Sequence, residues 1–380
     1  MMKVRTVNFQ KVKIMKIKKV IISGGGTGGH VFPAIAIADQ IKHEFPNAEL
    51  LFVGAKGKLE MTKVPEAGYE IEGLWISGLQ RRWTWKNLLL PLKIISSLWK
   101  TRKIIKRFQP DVVVGVGGYA SLPTLKMANM MKFPTVVQEQ NSYPGKTNIY
   151  LSKAAHKMCV AYEGMNRFFP EDKIELTGNP VRKKVVKIDG LKEKGRTHFK
   201  LKNDLPTVLV VGGSLGARTL NESFVNKIKL LQEGGIQMIW QCGRHQFEEM
   251  KALTRSIDMT GISLNEFIED IELAYAAADV IISRAGAIAI SEMQLVGKPT
   301  ILVPSPNVAE DHQTKNAEAL VKNDAAILVK DKNARAQLIP VLIDLISDKK
   351  QQESLAENIQ KNAIINADER IVEVIKQVVK

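Results

Sequence analysis

The run Gly24-Gly25-Gly26-Thr27-Gly28-Gly29-His30 brings together the residue types in this chain best suited to chemistry. Imidazole changes charge near neutrality, so His30, at a loop–helix junction, is a candidate general base. Five glycines within six residues remove the Cβ atoms that would hold a ligand away from the backbone. The exposed amides, with the N-terminus of a helix behind them, suit a negatively charged or polar group. Val20-Ile21-Ile22-Ser23, before the glycines, reads as a buried strand, and the residues from about Ala34 to Phe45 read as the helix.

Two nucleotide-binding patterns can be tested on this loop. Gly24-x-Gly26-x-x-Gly29 fits the dinucleotide fingerprint, which also needs an acidic residue about 20 positions later for the ribose. The next strand, Leu50–Val53, ends in Gly54-Ala55-Lys56 with no carboxylate, which argues against NAD. A P-loop needs Gly-Lys-Ser/Thr after its glycines, and His30-Val31 stands there instead.

Three later clusters have similar potential. Gly212-Gly213-Ser214-Leu215-Gly216 follows the strand Thr207–Val211 and opens a helix, which makes Ser214 a candidate phosphate ligand. The same residues fit a nucleophile elbow, and Asp279 and His312 follow in the order a Ser–Asp–His hydrolase requires, so that activity is a rival. Arg284-Ala285-Gly286-Ala287 starts a third strand–glycine–helix junction. Its amides suit a diphosphate, and Glu292, about one turn in, can accept two ribose hydroxyls or can be a solvated acid favoured by the helix dipole. In Asp311–Ala317, Gln313 and Asn316 can face a sugar or cap a helix. No Asp-x-Asp and no His-Glu-x-x-His occurs, so the expectation is no metal and no other cofactor.

A chain of 380 residues, 45% hydrophobic and 25% charged, fits a globular protein of two domains. A net charge of +16 implies a negatively charged partner. No nucleic-acid motif is evident and the charge is spread along the chain, so nucleic acid is not expected. Cys159 and Cys242 lie in apolar runs and read as buried thiols of a reducing compartment. Residues 1–14 read as a flexible basic leader, and no run of 18 apolar residues spans a membrane.

The elements that must position these residues alternate strand and helix throughout. Val/Ile-rich runs at Val20–Ser23, Leu50–Val53, Val112–Val116, Thr135–Val137 and Lys157–Ala161 predict one parallel sheet. Runs at Thr207–Val211, Gln237–Gln241, Val280–Ser283 and Thr300–Val303 predict a second. The pattern restarts after Gly178-Asn179-Pro180-Val181, giving domains at 15–181 and 182–363, with a last helix at about 364–380 that can return to the first domain.

Six motifs in order resemble the family 28 glycosyltransferases of peptidoglycan synthesis: Gly25–Pro33, Gly117-Gly118-Tyr119, Gln138-Glu139-Gln140-Asn141, Gly178–Arg182, Gly212–Ala217 and Gln313-x-x-Asn316-Ala317. The likeness runs from about Lys16 to the C-terminus. It implies an α/β GT-B fold, two doubly wound Rossmann-like domains whose parallel sheets face across a cleft. It further implies inverting transfer of GlcNAc from UDP-GlcNAc to the 4-hydroxyl of the muramyl sugar of lipid I, giving lipid II. A GT-B transferase acting on another lipid acceptor, such as diacylglycerol, is the alternative.

By that resemblance the second domain holds UDP-GlcNAc. Arg182, Ser214, Ile268, Ala287, Ile288, Ala289, Ile290, Ser291, Glu292 and Gln313 match donor-site positions, joined by Thr27, Gly28, Gly29 and Asn141 of the first domain. His30 and Glu139 are the catalytic candidates, His30 as base and Glu139 as second choice, with Tyr119 and Asn148 on the acceptor side. Leu215 and Ala285 depart from the residues many relatives carry. The resemblance also implies work at the cytoplasmic face of the bacterial inner membrane, with undecaprenyl-linked lipid I, an anionic membrane surface and other cell-wall synthesis proteins as partners. The stretch 79–90 mixes tryptophans, leucines and cations, so Leu79, Trp83, Trp85, Leu88 and Leu89 are the expected membrane contacts. Leu92, Ile95, Leu98, Trp99 and Ile105 beyond it have helical spacing and are expected to pack on the sheet.

Overall fold

The structure is a computed structural model that describes residues 17–78, 89–181, 185, 187–213 and 215–379. The basic leader, Arg182, Ser214, Leu79, Trp83, Trp85 and Leu88 lie outside the described residues.

The first sheet contains β1 (Lys19–Gly24), β2 (Glu49–Ala55), β3 (Glu70–Leu74), β4 (Val112–Gly117), β5 (Thr135–Glu139), β6 (Lys157–Val160) and β7 (Ile174–Leu176). Its order is β3-β2-β1-β4-β5-β6-β7, and every pairing is parallel. Helices α1 (Gly28–Glu44), α2 (Glu60–Glu66), α3 (Leu90–Phe108), α4 (Ser121–Met130) and α5 (Lys146–Ser152) link its strands.

The second sheet contains β8 (Thr207–Val211), β9 (Gln237–Gln241), β10 (Ile262–Asn265), β11 (Val280–Ser283), β12 (Thr300–Leu302) and β13 (Ile327–Leu328). Its order is β10-β9-β8-β11-β12-β13, also wholly parallel. Around it lie α6 (Lys192–His198), α7 (Arg218–Val225), α8 (Ile228–Glu233), α9 (Phe247–Leu253), α10 (Ile271–Ala277), α11 (Ala287–Val296), α12 (His312–Val321), α13 (Ala334–Ser347) and α14 (Lys349–Lys361).

Side chains of a strand point alternately to opposite faces. Val20 and Ile22 of β1 therefore join one core cluster while Ile21 joins another. Val208 and Val210 of β8 are likewise separated from Leu209. Helices cover both faces, which is why the strands are apolar in unbroken runs. The two cysteines are buried and unpaired, and burial pushes the Cys242 thiol up to about 11.

The last helix, α15 (Ala367–Val378), leaves the second sheet and packs on the first. Ile371, Val372, Val374 and Ile375 join Ile37 and Ile41 of α1 in one cluster, and Lys376 pairs with Glu44.

Two expectations fail here. Helix α1 begins at Gly28 rather than near Ala34, so His30 is its third residue and belongs to the first helical turn. Helix α3 does not bury all the residues its spacing suggested. Ile105 is enclosed and Leu98 is half-buried, but Leu92, Ile95 and Trp99 are 56%, 54% and 62% exposed. The inner face instead holds Ser97, Thr101 and Ile104.

Candidate active site

Each sheet reverses its strand order beside a glycine turn: between β1 and β4 in the first, between β8 and β11 in the second. A doubly wound sheet opens a crevice at this place, where helix N-termini diverge. The turns after β1 and β4 touch, with Gly25 N donating to Gly117 O at 3.2 Å. Gly118 has φ +88°, and a Cβ on it would lie 2.3 Å from Gly25 O, so only glycine permits this approach.

A residue unremarked in the sequence fixes the first loop. Glu60, at the start of α2, is buried; its Oε2 accepts from Gly26 N at 2.7 Å and its Oε1 from Ala55 N at 2.9 Å. The end of β2 therefore does have a carboxylate nearby, but backbone amides occupy it. An acid among Lys56, Lys58 and Lys63 was the available signal.

His30 sits against this loop. Its Nδ1 lies 3.1 Å from Gly25 O and 3.3 Å from the hydroxyl of Thr27, the N-cap of α1. A carbonyl only accepts, so Nδ1 donates and carries the proton, which leaves Nε2 with its lone pair. Burial lowers the His30 pKa below its usual 6.5, against the attraction of Glu139 and the Gly25 hydrogen bond, which raise it; His312 lowers it further and Glu60 raises it. The imidazole is thus neutral at rest, and two carboxylates are in place to stabilise the cation formed on proton capture.

A base must be unprotonated, so kcat/KM should hold level down to about pH 6.5 and fall only below it. A limb centred above that value, or one that persists unshifted in His30→Gln, would assign the base elsewhere.

Glu139, at the end of β5, is buried and accepts four hydrogen bonds. Oε1 takes Asn141 N and Nδ2, each at 3.0 Å, and Oε2 takes Gly145 N at 3.2 Å and Asn148 Nδ2 at 2.8 Å. Both oxygens are committed to holding the turn 139–148, which suits an orienting carboxylate better than a mobile base. Asn148 is also buried, donating to Gln138 O at 3.3 Å, so it supports Glu139 instead of facing an acceptor. Tyr119, after β4, is half-exposed.

The other wall is a cleft of about 520 Å³, lined by Gly29 of the first domain and by the turns after β8, β11 and β12. Helices α1, α7 and α11 bring their first turns to it, and none carries an acid there. The N-terminal dipoles of α1 and α11 therefore favour an anionic ligand, while at α7 the Asp331 carboxylate already accepts from Thr219 Oγ1 at 3.0 Å. Ala289 and Gln313 line the cleft, and Gln313 Oε1 accepts from Ser305 N at 2.8 Å. Arg284 pairs with Asp331 at its floor, an ion pair that sequence did not suggest.

Several expected ligands are more enclosed than a ligand role implies. Ile290 and Ile268 are core side chains, so only their backbones are available. Ser291 accepts from Asn179 Nδ2 at 3.1 Å. Glu292 is the sixth residue of α11, not a first-turn acid; it is 2% exposed and accepts from Tyr275 OH at 3.0 Å. Ala287 is nearly buried, while Ile288 and Gly28 are half-buried. The hydrolase arrangement does not form. Asp279 precedes β11 and binds Thr207 N at the N-terminal edge of the sheet, whereas His312 follows β12 at the opposite edge. Among the described residues no group of three or more His, Cys, Asp or Glu could hold a metal ion.

The model of the glycosyltransferase family 28 N-terminal domain matches residues 20–160, and that of the C-terminal domain matches residues 207–373. Two relatives, from Cytophaga hutchinsonii and Flavobacterium psychrophilum, are named UDP-N-acetylglucosamine–N-acetylmuramyl-(pentapeptide) pyrophosphoryl-undecaprenol N-acetylglucosamine transferase. The first is 52% identical over 95% of this chain and 97% of its own. The second is 50% identical over 96% and 99%. The crystal structure of MurG from Acinetobacter baumannii superposes with a TM-score of 0.77 at 27% identity, over 95% of this chain and 99% of that one. Two parallel sheets with crevices at their switch points, both domain models in order and near-full-length relatives agree: the chain belongs to glycosyltransferase family 28 and has the GT-B fold.

Proposed function

We propose that the chain is an inverting hexosyltransferase that moves GlcNAc from UDP-GlcNAc to the 4-hydroxyl of the N-acetylmuramyl sugar of lipid I. The product is lipid II, for peptidoglycan synthesis. The observation that carries the reading is the pairing of a neutral His30 with a cleft whose helix N-termini carry no first-turn acid. The names of the near-full-length relatives give the substrates.

In this reading residues 182–363 bind the donor and residues 15–181 the acceptor. Nε2 of His30 takes the proton of the acceptor hydroxyl as its oxygen attacks the anomeric carbon from the face opposite UDP, and the diphosphate leaves toward the amides of the glycine turns. Glu292 holds the ribose, and Arg182 and Ser214 serve the phosphates. No divalent cation is required. The test is transfer from UDP-GlcNAc to lipid I, beside diacylglycerol, with and without EDTA. A disaccharide-linked lipid and UDP are expected, formed with lipid I but not with diacylglycerol, and equally with and without EDTA. Transfer only to diacylglycerol would select the alternative acceptor.

The outer face of the first domain supports work at a membrane surface. Among the described residues no helix is long and apolar enough to cross a membrane. Helix α3 has polar Ser97 and Thr101 inward and Leu92, Ile95 and Trp99 outward, next to exposed Leu89 and Trp75. Arg102 and Lys103 share this helix. Such a surface suits the interface of an anionic bilayer, on the cytoplasmic side where lipid I is offered. The triple variant Leu92→Ser, Ile95→Ser, Trp99→Ser should lose about tenfold or more in binding to anionic vesicles. It should lose activity on long-chain lipid I but not on a short-chain acceptor. Equal loss on both acceptors would make this face structural.

A further inference from the structure

Helix α12 of the second domain reaches the loop that follows β5 of the first, and three of its residues, His312, Lys315 and Asn316, share the contact. Their spacing places them on one helix face. His312 Nδ1 donates to Tyr143 O at 2.9 Å, and Lys315 Nζ stands 3.1 Å from the centroid of the Tyr143 ring. Asn316 is wholly enclosed. Its Oδ1 accepts from Ser142 N at 3.0 Å and Ser142 Oγ at 3.1 Å. Its Nδ2 donates to Asn141 Oδ1 at 3.1 Å and to Ala285 O at 3.4 Å.

The directions of these bonds are fixed. A backbone N–H only donates, so the Asn316 oxygen must face Ser142, and its NH2 must face Asn141. Asn141 then turns its oxygen to Asn316 and its own NH2 to Glu139 Oε1, at 3.0 Å. A free Asn141 could flip and present oxygen to that carboxylate. Such a reversal is costly, because it would set oxygen against the Glu139 carboxylate at one end and NH2 against the Asn316 NH2 at the other.

We propose that Asn316 is a positioning residue for the transfer reaction: it senses that the donor domain has met the acceptor domain and, through Asn141, sets the Glu139 carboxylate beside His30. The proposal rests on the functional reading above. It gives Asn316 a task distinct from sugar binding, since its amide is committed to protein partners.

The test combines kinetics with a distance measurement. Asn316→Ala should lower kcat on lipid I about tenfold while changing the Kd for UDP less than about twofold, with an unchanged circular dichroism spectrum. Asn316→Asp keeps the shape and the bond from Ser142 but offers Asn141 an acceptor in place of a donor, and should be as slow as Asn316→Ala. Ser142→Ala should cost a smaller factor, and adding it to Asn316→Ala should cost nothing further. Parallel loss of UDP affinity, additive losses, or full activity of Asn316→Asp would overturn the relay.

Spin labels on Glu66→Cys and Glu353→Cys, both exposed and one in each domain, read domain apposition without any substrate. Their distance distribution should broaden in Asn316→Ala, and an unchanged distribution would overturn the proposal. Failure of the unmodified chain to transfer to lipid I would overturn the functional reading instead, while the distance result would still decide whether Asn316 ties the domains.

Discussion

Replacing His30 by alanine is expected to lower kcat on lipid I by about 10²–10⁴-fold, the range for removing a positioned general base. UDP affinity should be nearly unchanged, because the imidazole is held against Gly25 and Gly117 of the first domain rather than on the donor wall. The size of the effect follows from the tautomer. With Nδ1 committed to the Gly25 carbonyl, Nε2 is the atom able to take a proton, and the neighbouring carboxylates are already spent on backbone and amide donors. Glu139→Gln is the control. It should disturb the turn 139–148 and slow the reaction less than His30→Ala does. The reverse order, Glu139→Gln nearly dead and His30→Ala nearly active, would exchange their roles.

The second large effect is expected at Glu292. Charge-assisted hydrogen bonds to the ribose are worth about 1.5–3 kcal/mol, so Glu292→Ala should raise the Michaelis constant for UDP-GlcNAc roughly ten- to hundredfold. An exposed cleft acid would leave stability untouched, and the structure changes that expectation. Glu292 is buried and accepts from Tyr275 OH, so its loss removes a buried hydrogen bond to a charged group, worth about 1.5–3 kcal/mol. For a domain of this size that is a fall of roughly 2–4 °C in Tm per kcal/mol. Glu292→Gln keeps an acceptor for Tyr275 and should recover most of the stability without the donor affinity. A variant that loses stability while keeping its donor Michaelis constant would make Glu292 a packing residue alone.

The architecture was legible because parallel strands buried on both faces must be apolar at every position, as in Val112-Val113-Val114 and Val208-Leu209-Val210. The edge strands were not. β7 has three residues and β13 two, too few for any pattern to emerge. The start of α1 was misread because Gly28 and Gly29 are poor helix formers; the turn is completed by tertiary contacts, including the hold of Glu60 on Gly26.

Within the site, residue types marked the glycine turns and His30, but not which polar groups are already satisfied. Asn148 and Asn316 look alike in sequence to amides that would greet a sugar. Their commitments to Glu139 and Ser142 lie nine and 174 residues away. The outward face of α3 escaped for a related reason: helical spacing gives the period of the apolar residues but not the side that meets the protein.

Helix α15 has a bearing on how this chain comes into being. Domains of a nascent polypeptide generally fold in the order in which they are synthesised. Here Ile371, Val372, Val374 and Ile375 complete the apolar cluster that β1 and α1 begin. The domain translated first therefore waits with an open hydrophobic seam until Ile371, Val372, Val374 and Ile375 have been made. The second domain, whose strands and helices are contiguous from Lys192 to Lys361, can close its own core earlier. The order of maturation is thus the reverse of the order of synthesis, and a chain cut before Ala367 would leave His30, the candidate base, in an unfinished domain.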